Sequence, residues 1–348
     1  MAVPGTPRNL NVQSANQEIL VSWSLSTGAT SYTIQRSLDN VTYTDLTTVD
    51  GSPLATSYLD QDVELGTEYY YQICASTEDG SSPYTLPLSD IPVPVGEMAL
   101  KQIILASKQR ADRVESQFVT NPEWRSYINQ AMFELYDLLT TVYEDYNVAE
   151  PIQFTCDGST YRFALPNGSN SFRNADSGET FTPRPFYKLL GVDLALNNAP
   201  NAYVTINKFN FIDRNKFLYP NSNSTMYGTF NMQYRVMGSN IEFIPTPSSG
   251  QQIRLWYIPR LIELLRDTDY TTIGTSGWLE YVIVRAAKYA LDKEESDSSK
   301  LDQELLFLKD RIEASASNRD AGAPDTISDS RNSAYGYGNG SGNGRGGF

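Results

Sequence analysis

The chain has 348 residues, 40% of them hydrophobic, and a formal net charge of −14 at pH 7. It contains no histidine, which excludes Ser-His-Asp and Cys-His catalysis and histidine-ligated metal sites. Much of the charge falls in residues 1–96, where 11 acidic residues stand against two basic ones, Arg8 and Arg36. No basic surface for phosphate contacts is therefore predicted, and we expect no binding of nucleic acid by charge.

The lack of targeting signals and the spacing of the cysteines indicate in which cellular compartment we expect the chain. No run of about 18 apolar residues is present, so no transmembrane helix is predicted. The first residues, MAVPGTPRNL, lack a basic region followed by an apolar core, so we expect no secretion signal. Cys74 and Cys156 lie far apart in the sequence, which argues against a disulfide framework and favours a reducing cytoplasm.

Residues 4 to 94 contain short alternating segments separated by Gly, Asp, Ser and Pro, a pattern typical of a β-sandwich. The segments VSW with Trp23, SYTIQRS with Tyr32, and VELGTEYYYQICA with Tyr69 resemble a fibronectin type III domain. The resemblance implies that Trp23 packs between the sheets. It also implies that Tyr69 is the corner tyrosine, whose hydroxyl bonds back to the preceding turn. Alternation places Tyr69 and Tyr71 on one face, which we interpret as core packing.

A linker and two helices are predicted next. The segment SDIPVPVG is interpreted as a linker, because two prolines and a glycine interrupt regular structure. From Glu97 the period is helical, and the shared face consists of Leu100, Ile103, Ile104, Ser107, Ala111 and Val114. A second helix is predicted to begin with Asn121 as N-cap and Pro122 at its first position. Its apolar stripe consists of Trp124, Ile128, Ala131, Leu135, Leu138 and Val142.

Another helical pair is predicted near the C-terminus, after Trp278. The first stripe consists of Leu279, Val282, Ile283, Ala286 and Ala290, and the second of Leu301, Leu305, Leu308 and Ile312. Either Ser298 or Ser299 is the expected N-cap of the second of these helices. Neither helix can bury its stripe alone, so we expect both pairs to close one four-helix layer.

The residues between the two pairs are rich in β-branched and aromatic side chains, which predicts an antiparallel β-rich insertion. Within it, FYKLLGVDLAL is interpreted as either a strand or a short helical turn. The predicted fold class is α+β and multidomain. The predicted units are a sandwich at 1–95, a first helical pair at 97–148, the insertion at 149–262, a second helical pair at 263–319 and a flexible tail at 320–348.

No catalytic residues, metal site or cofactor are predicted. Asp267 and Asp269 are interpreted as a turn before a helix, because no calcium-loop spacing follows them. The acidic run Asp292, Glu294, Glu295 and Asp297 is interpreted as a solvated connection between helices. The glycine-rich sequence near the C-terminus has neither a preceding strand nor a following helix, which excludes a phosphate-binding loop.

The segments NPEWRSYINQAMFELYDLL and GWLEYVIVRAAKYALDKEESDSSKLDQELLFLKDRIEASASNRDAGAPDTISD resemble the head-to-tail adaptor proteins of tailed bacteriophages. The resemblance implies a structural virion protein without enzymatic activity, assembled in the host cytoplasm and located in the neck of the particle. It implies a ring of typically twelve copies under the portal protein, with a tail or nozzle protein on its other face. DNA would pass through without being specifically bound, and no membrane would be involved.

The resemblance also implies contacts for the C-terminal tail, which is too poor in apolar groups to fold alone. We expect it to order only against the portal or a neighbouring subunit. The expected contact residues are Arg319, Asp320, Pro324, Asp325, Tyr335, Tyr337 and Phe348. The expected structural core consists of Trp23, Tyr69, Trp124, Leu135, Trp278, Val282 and Leu305.

The sequence is also compatible with two other functions. A glycan-binding or carbohydrate-active accessory protein would use the fibronectin-like module as a spacer, and it would need a secretion signal and a cleft with paired carboxylates. Another neck or tail decoration protein would use its helices for trimeric assembly, and long uninterrupted heptads would favour that reading. The sequence contains no such heptads.

Overall fold

The computed structural model describes residues 3–15, 17–50, 53–143, 146–196, 202–214, 232–271 and 278–317. Its N-terminal part consists of strands with the alternating burial that the sequence predicts, as in the second strand, where every other residue is buried. The strands are β1 (Arg8–Ala15), β2 (Glu18–Ser24), β3 (Ser31–Ser37), β4 (Thr44–Asp50), β5 (Ser57–Asp60), β6 (Tyr69–Thr77), β7 (Gly80–Ser81) and β8 (Leu88–Asp90).

These strands form two sheets, ordered β1-β2-β5 and β4-β3-β6-β7, with β8 paired to β6. Trp23 and Tyr32 meet between the sheets with ring centroids 5.2 Å apart in an edge-on arrangement. The Tyr69 hydroxyl accepts a hydrogen bond of 2.9 Å from the Glu64 backbone N–H, which is the predicted tyrosine corner. An N-terminal β-sandwich followed by a partly helical region is thereby confirmed.

The predicted linker is partly buried: residues 91–93 are buried, whereas Val95 and Gly96 at its end are exposed. Its first two residues belong to β8, and Ile91 and Val93 pack against Ala99 and Tyr270 in a small apolar cluster. The prolines do end the strand, but the apolar side chains between them need cover from water. The segment therefore joins the sandwich to the following helix through a packed contact.

Among the described residues that follow, four α-helices form: α1 (Leu100–Arg110), α2 (Asn121–Val142), α3 (Leu279–Lys293) and α4 (Ser299–Ser317). Their buried faces share one hydrophobic cluster, although α2 and α3 lie far apart in the sequence. The same cluster includes Ile258, near the end of the last strand of the insertion. It also includes Leu261 and Leu264, which follow that strand. The helical core therefore includes a contribution from the β-rich region.

Two helix boundaries differ from the prediction. The first helix ends at Arg110, and the positive φ of Asp112 turns the chain away, so Val114 is exposed. The second helix has Thr120, one residue before the predicted Asn121, as its N-cap. The reason is Glu123, whose carboxylate reaches back to accept hydrogen bonds from the backbone N–H and the hydroxyl of Thr120, at 2.8 and 3.0 Å.

The Glu123 carboxylate also binds Lys293 of α3, at 2.6 Å. The hydrogen bond from Lys293, followed by those from Thr120, lowers the pKa of Glu123 to about 2. A carboxylate whose pKa is lower in the folded chain stabilises the fold at every pH above its unfolded pKa, and the contribution fades as pH falls towards the folded pKa.

We therefore predict the pH dependence of a Glu123→Gln variant. The wild type melts at a higher temperature than the variant, by a margin that is constant between about pH 7 and pH 5 and shrinks as pH falls towards about 2. Thermal unfolding followed by circular dichroism across this range measures the margin. The exposed Glu115, changed to Gln, is the matched control and keeps the wild-type profile. A margin that widens on acidification contradicts the prediction.

Between α2 and α3, the part of the chain that the structure describes forms ten strands: β9 (Ile152–Thr155), β10 (Arg162–Ala164), β11 (Phe172–Asn174), β12 (Thr180–Phe181), β13 (Phe186–Ala195), β14 (Tyr203–Thr205), β15 (Asn207–Lys208), β16 (Gln233–Met237), β17 (Asn240–Ile244) and β18 (Gln252–Pro259). They form a six-stranded sheet, β12-β11-β9-β18-β13-β14, and a four-stranded sheet, β10-β17-β16-β15. The described pairs are antiparallel except β15 with β16, which is parallel and corrects the purely antiparallel prediction. FYKLLGVDLAL forms β13, a strand rather than a helical turn.

Candidate functional site

All seven predicted core residues are buried, in two separate clusters. Trp23 and Tyr69 lie in the core of the sandwich. Trp124, Leu135, Trp278, Val282 and Leu305 lie in the helical core. The predicted contact residues of the tail lie outside the described residues, and they are Arg319, Asp320, Pro324, Asp325, Tyr335, Tyr337 and Phe348.

The candidate acidic sites are engaged in structural contacts. The Asp269 carboxylate accepts hydrogen bonds from the backbone N–H groups of Leu265 and Arg266, at 2.9 and 2.8 Å, which is the turn that the sequence predicts. Within the described ranges, no group of three or more Cys, Asp or Glu residues is arranged to hold a metal ion. In the same part of the chain, no helix is long and apolar enough to cross a bilayer.

The acidic run begins at the end of α3 and is largely solvated, since Asp292, Glu295 and Asp297 are exposed and Glu294 is half-buried. Asp292 pairs with Lys288, at 2.9 Å, and Glu294 pairs with Arg113, at 2.7 Å. The pair of Asp292 with Lys288 lies within α3, because the two residues are four positions apart on that helix. Glu294 alone of these two carboxylates links the end of α3 to another part of the chain, the segment after α1.

One glutamate joins α2 to α3. The Glu134 carboxylate accepts hydrogen bonds from Arg285, at 2.8 Å, and from the Tyr289 hydroxyl. Burial, together with the hydrogen bond to Glu134, raises the pKa of Tyr289 to about 12. Tyr289 therefore stays protonated and donating at physiological pH, and the contact persists.

The outward face of α4 carries an uncovered pair of large apolar residues, which we call the ridge. Leu306 is 65% exposed and Phe307 is 67% exposed, on the side away from the buried stripe. Lys300 and Arg311 are spaced seven residues before and four residues after Phe307, so both lie on its side of the helix. Arg311 makes no ion pair with another described residue. Asp310, three residues after Phe307, and Glu304, three residues before it, lie on the same side, so the ridge combines an apolar centre with charges of both signs.

A groove of about 510 Å³ runs along the outer face of α2 and the segment that precedes α3. Its floor includes the half-buried Phe133, and Leu265, which is 61% exposed, stands at its edge. The carboxylates of Glu134, Asp137 and Glu263 line it, with Arg125 as its one cation among the described lining residues. The groove is therefore an acidic concavity with an apolar centre.

The groove is held open by hydrogen bonds from α2 to the neighbouring backbone. The Asn129 side chain donates to the Leu264 carbonyl, at 3.0 Å, and accepts from the Leu264 N–H, at 2.9 Å. Arg125 donates to the Leu265 carbonyl, at 2.7 Å. These contacts hold the segment with Leu264 and Leu265 against α2, beside the groove.

A third surface feature is the junction between the sandwich and α1. The Gln102 amide nitrogen donates to Asp90, at 2.8 Å, and to Ser14, at 3.1 Å. Its amide oxygen accepts from the Ala99 N–H, at 2.8 Å. Lys101 forms an ion pair with Glu68 of the sandwich. Sequence reasoning missed this junction, because its polar residues show no periodicity that points to it.

Comparison with known proteins identifies only the N-terminal part. Residues 5–91 match the family model described as "Fibronectin type III domain". The chain therefore carries an N-terminal fibronectin type III domain, which fits the observed sheets and the Tyr69 corner. No curated protein matches the chain at a significant level.

Several solved structures are similar to this chain over about a quarter of its length. The structure titled "Structure of FN3tt mut" is 25% identical and covers 26% of this chain and 97% of its own, with a TM-score of 0.23. A Fn3-like protein from Clostridium thermocellum is 26% identical, with 25% and 92% covered and a TM-score of 0.23. A beta-1,2-glucanase from Parabacteroides distasonis is 21% identical, with 32% and 16% covered and a TM-score of 0.25. With TM-scores this low, these likenesses say nothing about the rest of the chain.

Proposed function

We propose that this chain is a structural virion protein, a head-to-tail adaptor that forms a ring under the portal of a tailed bacteriophage. In this role it extends the DNA channel and presents a docking surface to the tail. The proposal includes the multidomain organisation predicted from the sequence, with units at 1–95, 97–148, 149–262, 263–319 and 320–348.

The observation that carries the proposal is the shared core of the two helical pairs. The segments that resemble phage adaptors, around Trp124 in α2 and around Trp278, Val282 and Leu305 in α3 and α4, pack into one cluster. The β-rich region between them leaves the helical body intact. A fold of this kind supplies a rigid subunit with long outer helix faces, which suits an assembly role.

The chemistry of the chain supports a passive channel role. A net charge of −14 repels phosphate, so DNA can pass without being retained. Three of the carboxylates that the sequence marked as candidate sites are engaged in structural contacts, Asp269 with backbone N–H groups and Asp292 and Glu294 with cations. No enzymatic function is proposed.

The test is particle imaging of the full chain mixed with the portal protein of the same virus. We expect a ring of the chain on the narrow end of the portal, and a further arm uses a chain that ends at Asn318. If the tail residues hold the portal, the shortened chain loses portal binding. Portal particles without added density in the presence of the full chain contradict the adaptor function, whereas binding by the shortened chain contradicts only the role of the tail.

A further inference from the structure

We propose that the sandwich is docked on the helical region in one fixed orientation, and that this docking stabilises the start of α1 and the segment 267–271 before α3. The inference goes beyond the adaptor function and does not depend on it. Two units of one chain move relative to each other by default, unless the interface between them is well packed. Three sets of contacts oppose such motion at the junction.

The first set is an apolar cluster to which three separate parts of the chain contribute. Ile91 and Ala99 are fully buried, Val93 is 7% exposed, and the Tyr270 ring packs against them. They come from the residues after β8, from the residue before α1 and from the segment 267–271. Any movement of the sandwich away from α1 would expose these side chains to water, which is unfavourable.

The second set is a close approach of a sandwich turn, the one before β6, to the segment 267–271. A Cβ on Gly66 would lie 3.3 Å from the Tyr270 ring and 3.5 Å from the Thr268 carbonyl oxygen. The Gly66 N–H also donates to the Pro92 carbonyl, at 2.9 Å, which joins the turn to the residues after β8. Gly66 has a φ of +73°, so both its backbone conformation and its neighbours favour glycine.

The third set is polar and includes the hydrogen bonds from Gln102 to Asp90 and Ser14. The Asp90 carboxylate also accepts from the Ser14 N–H, at 2.6 Å, and from the Ile91 N–H, at 2.9 Å. Contacts within the sandwich therefore fix the carboxylate that Gln102 of α1 binds. Because hydrogen bonds require particular distances and angles, this set favours a single orientation of the sandwich.

The segment 267–271 extends the effect of the docking to both helical pairs. The N–H groups of the first two residues of α1 have no acceptor within the helix, and they donate to the carbonyls of Asp269 and Asp267, at 2.8 and 3.0 Å. The Thr271 N–H donates to the Met98 carbonyl, at 3.0 Å. The sandwich makes none of these hydrogen bonds. It packs against the segment that does, so we infer that its docking keeps them closed.

The first experiment is hydrogen exchange of the full chain carrying Gly66→Ala, followed at the amides of Leu100, Lys101 and Thr271. We expect exchange at these amides to be about tenfold faster than in the wild type, because the added methyl group displaces the segment 267–271. Gly28→Ala is the matched control, since Gly28 has a φ of +82° in the same sandwich and no described atom within 4 Å of the added Cβ. This control strains the sandwich in a similar way, and the three amides keep their wild-type rates.

The second experiment measures the orientation of the sandwich by nitrogen-15 relaxation of the deuterated full chain. A docked sandwich has the same rotational correlation time as the helices, whereas a sandwich that moves independently has a shorter one. Gln102→Glu keeps the oxygen that accepts from the Ala99 N–H and places a second carboxylate against Asp90. We expect this variant to shorten the correlation time of the sandwich. Adding Asp90→Asn restores much of it, because an amide again faces a carboxylate.

Three outcomes overturn the docking. They are equal exchange of the three amides in Gly66→Ala and Gly28→Ala, a shorter correlation time for the sandwich than for the helices in the wild type, and wild-type correlation times in Gln102→Glu. None of them bears on portal binding, which particle imaging tests separately. Conversely, the expected results support the docking even in a chain that does not bind the portal.

Discussion

Replacing Trp124 by alanine lowers the free energy of unfolding of the helical region by about 3–5 kcal/mol. The indole is 1% exposed and lies in the cluster that all four helices share. It also meets the Tyr127 ring edge-on, with centroids 6.4 Å apart. Its removal deletes the largest side chain among the fully buried ones and leaves a cavity that the surrounding helices cannot fill without moving.

Urea denaturation followed by circular dichroism at a helix wavelength measures this loss. Phe307→Ala is the matched control, because it also removes an aromatic ring from a helix, and the ring is largely exposed in the isolated subunit. We expect the control to change the free energy by less than about 0.5 kcal/mol. Equal effects of the two substitutions would contradict the assignment of Trp124 to the core.

Asp193→Ala is expected to destabilise the β-rich region by about 3–5 kcal/mol. The Asp193 side chain is 12% exposed, and its carboxylate accepts hydrogen bonds from three side chains. The donors are Thr205 at 2.9 Å, Arg254 at 3.1 Å and the Trp256 indole N–H at 2.8 Å. The Arg254 guanidinium also lies against the Tyr203 ring, 3.9 Å from the ring centroid. When the Asp193 carboxylate is removed, no buried carboxylate balances the charge of Arg254.

The chain supplies its own control for this prediction. Asp176 also approaches Arg254, at 3.9 Å, but its side chain is 62% exposed. Water screens such a pair, so Asp176→Ala costs less than about 1 kcal/mol. Unfolding of both variants, followed by the fluorescence of the tryptophans, compares the two losses directly. A loss in Asp176→Ala as large as that in Asp193→Ala would show that Arg254 is balanced from the surface, and the prediction would fail.

The sequence by itself determined the elements whose residues repeat with a clear period. The α2 stripe from Trp124 to Leu135 and the α3 stripe from Leu279 to Ala290 are buried as their spacing of three and four residues predicts, because such spacing puts them on one helix face. The last two residues of the predicted α2 stripe, Leu138 and Val142, are half-buried. The tyrosine corner at Tyr69 could also be predicted from the sequence, because its hydrogen bond joins residues of one local turn. The ends of helices were predicted less well, as Thr120 and Val114 show. A single capping contact can shift the end of a helix by one residue or by one turn.

Only the tertiary structure decided which surfaces remain open and which polar residues meet. The sandwich is joined to α1 by hydrogen bonds between Gln102, Asp90 and Ser14. Ser14 and Gln102 are 88 residues apart in the sequence, and no sequence pattern connects them. Leu305 lies on the apolar stripe that the spacing predicts, whereas only the tertiary structure shows that the outward side of the same helix leaves Leu306 65% exposed. The spacing of apolar residues along the sequence predicts which face of a helix is apolar, because this face depends only on local helix geometry. It does not predict what covers the other side, because that depends on contacts between residues that are distant in the chain.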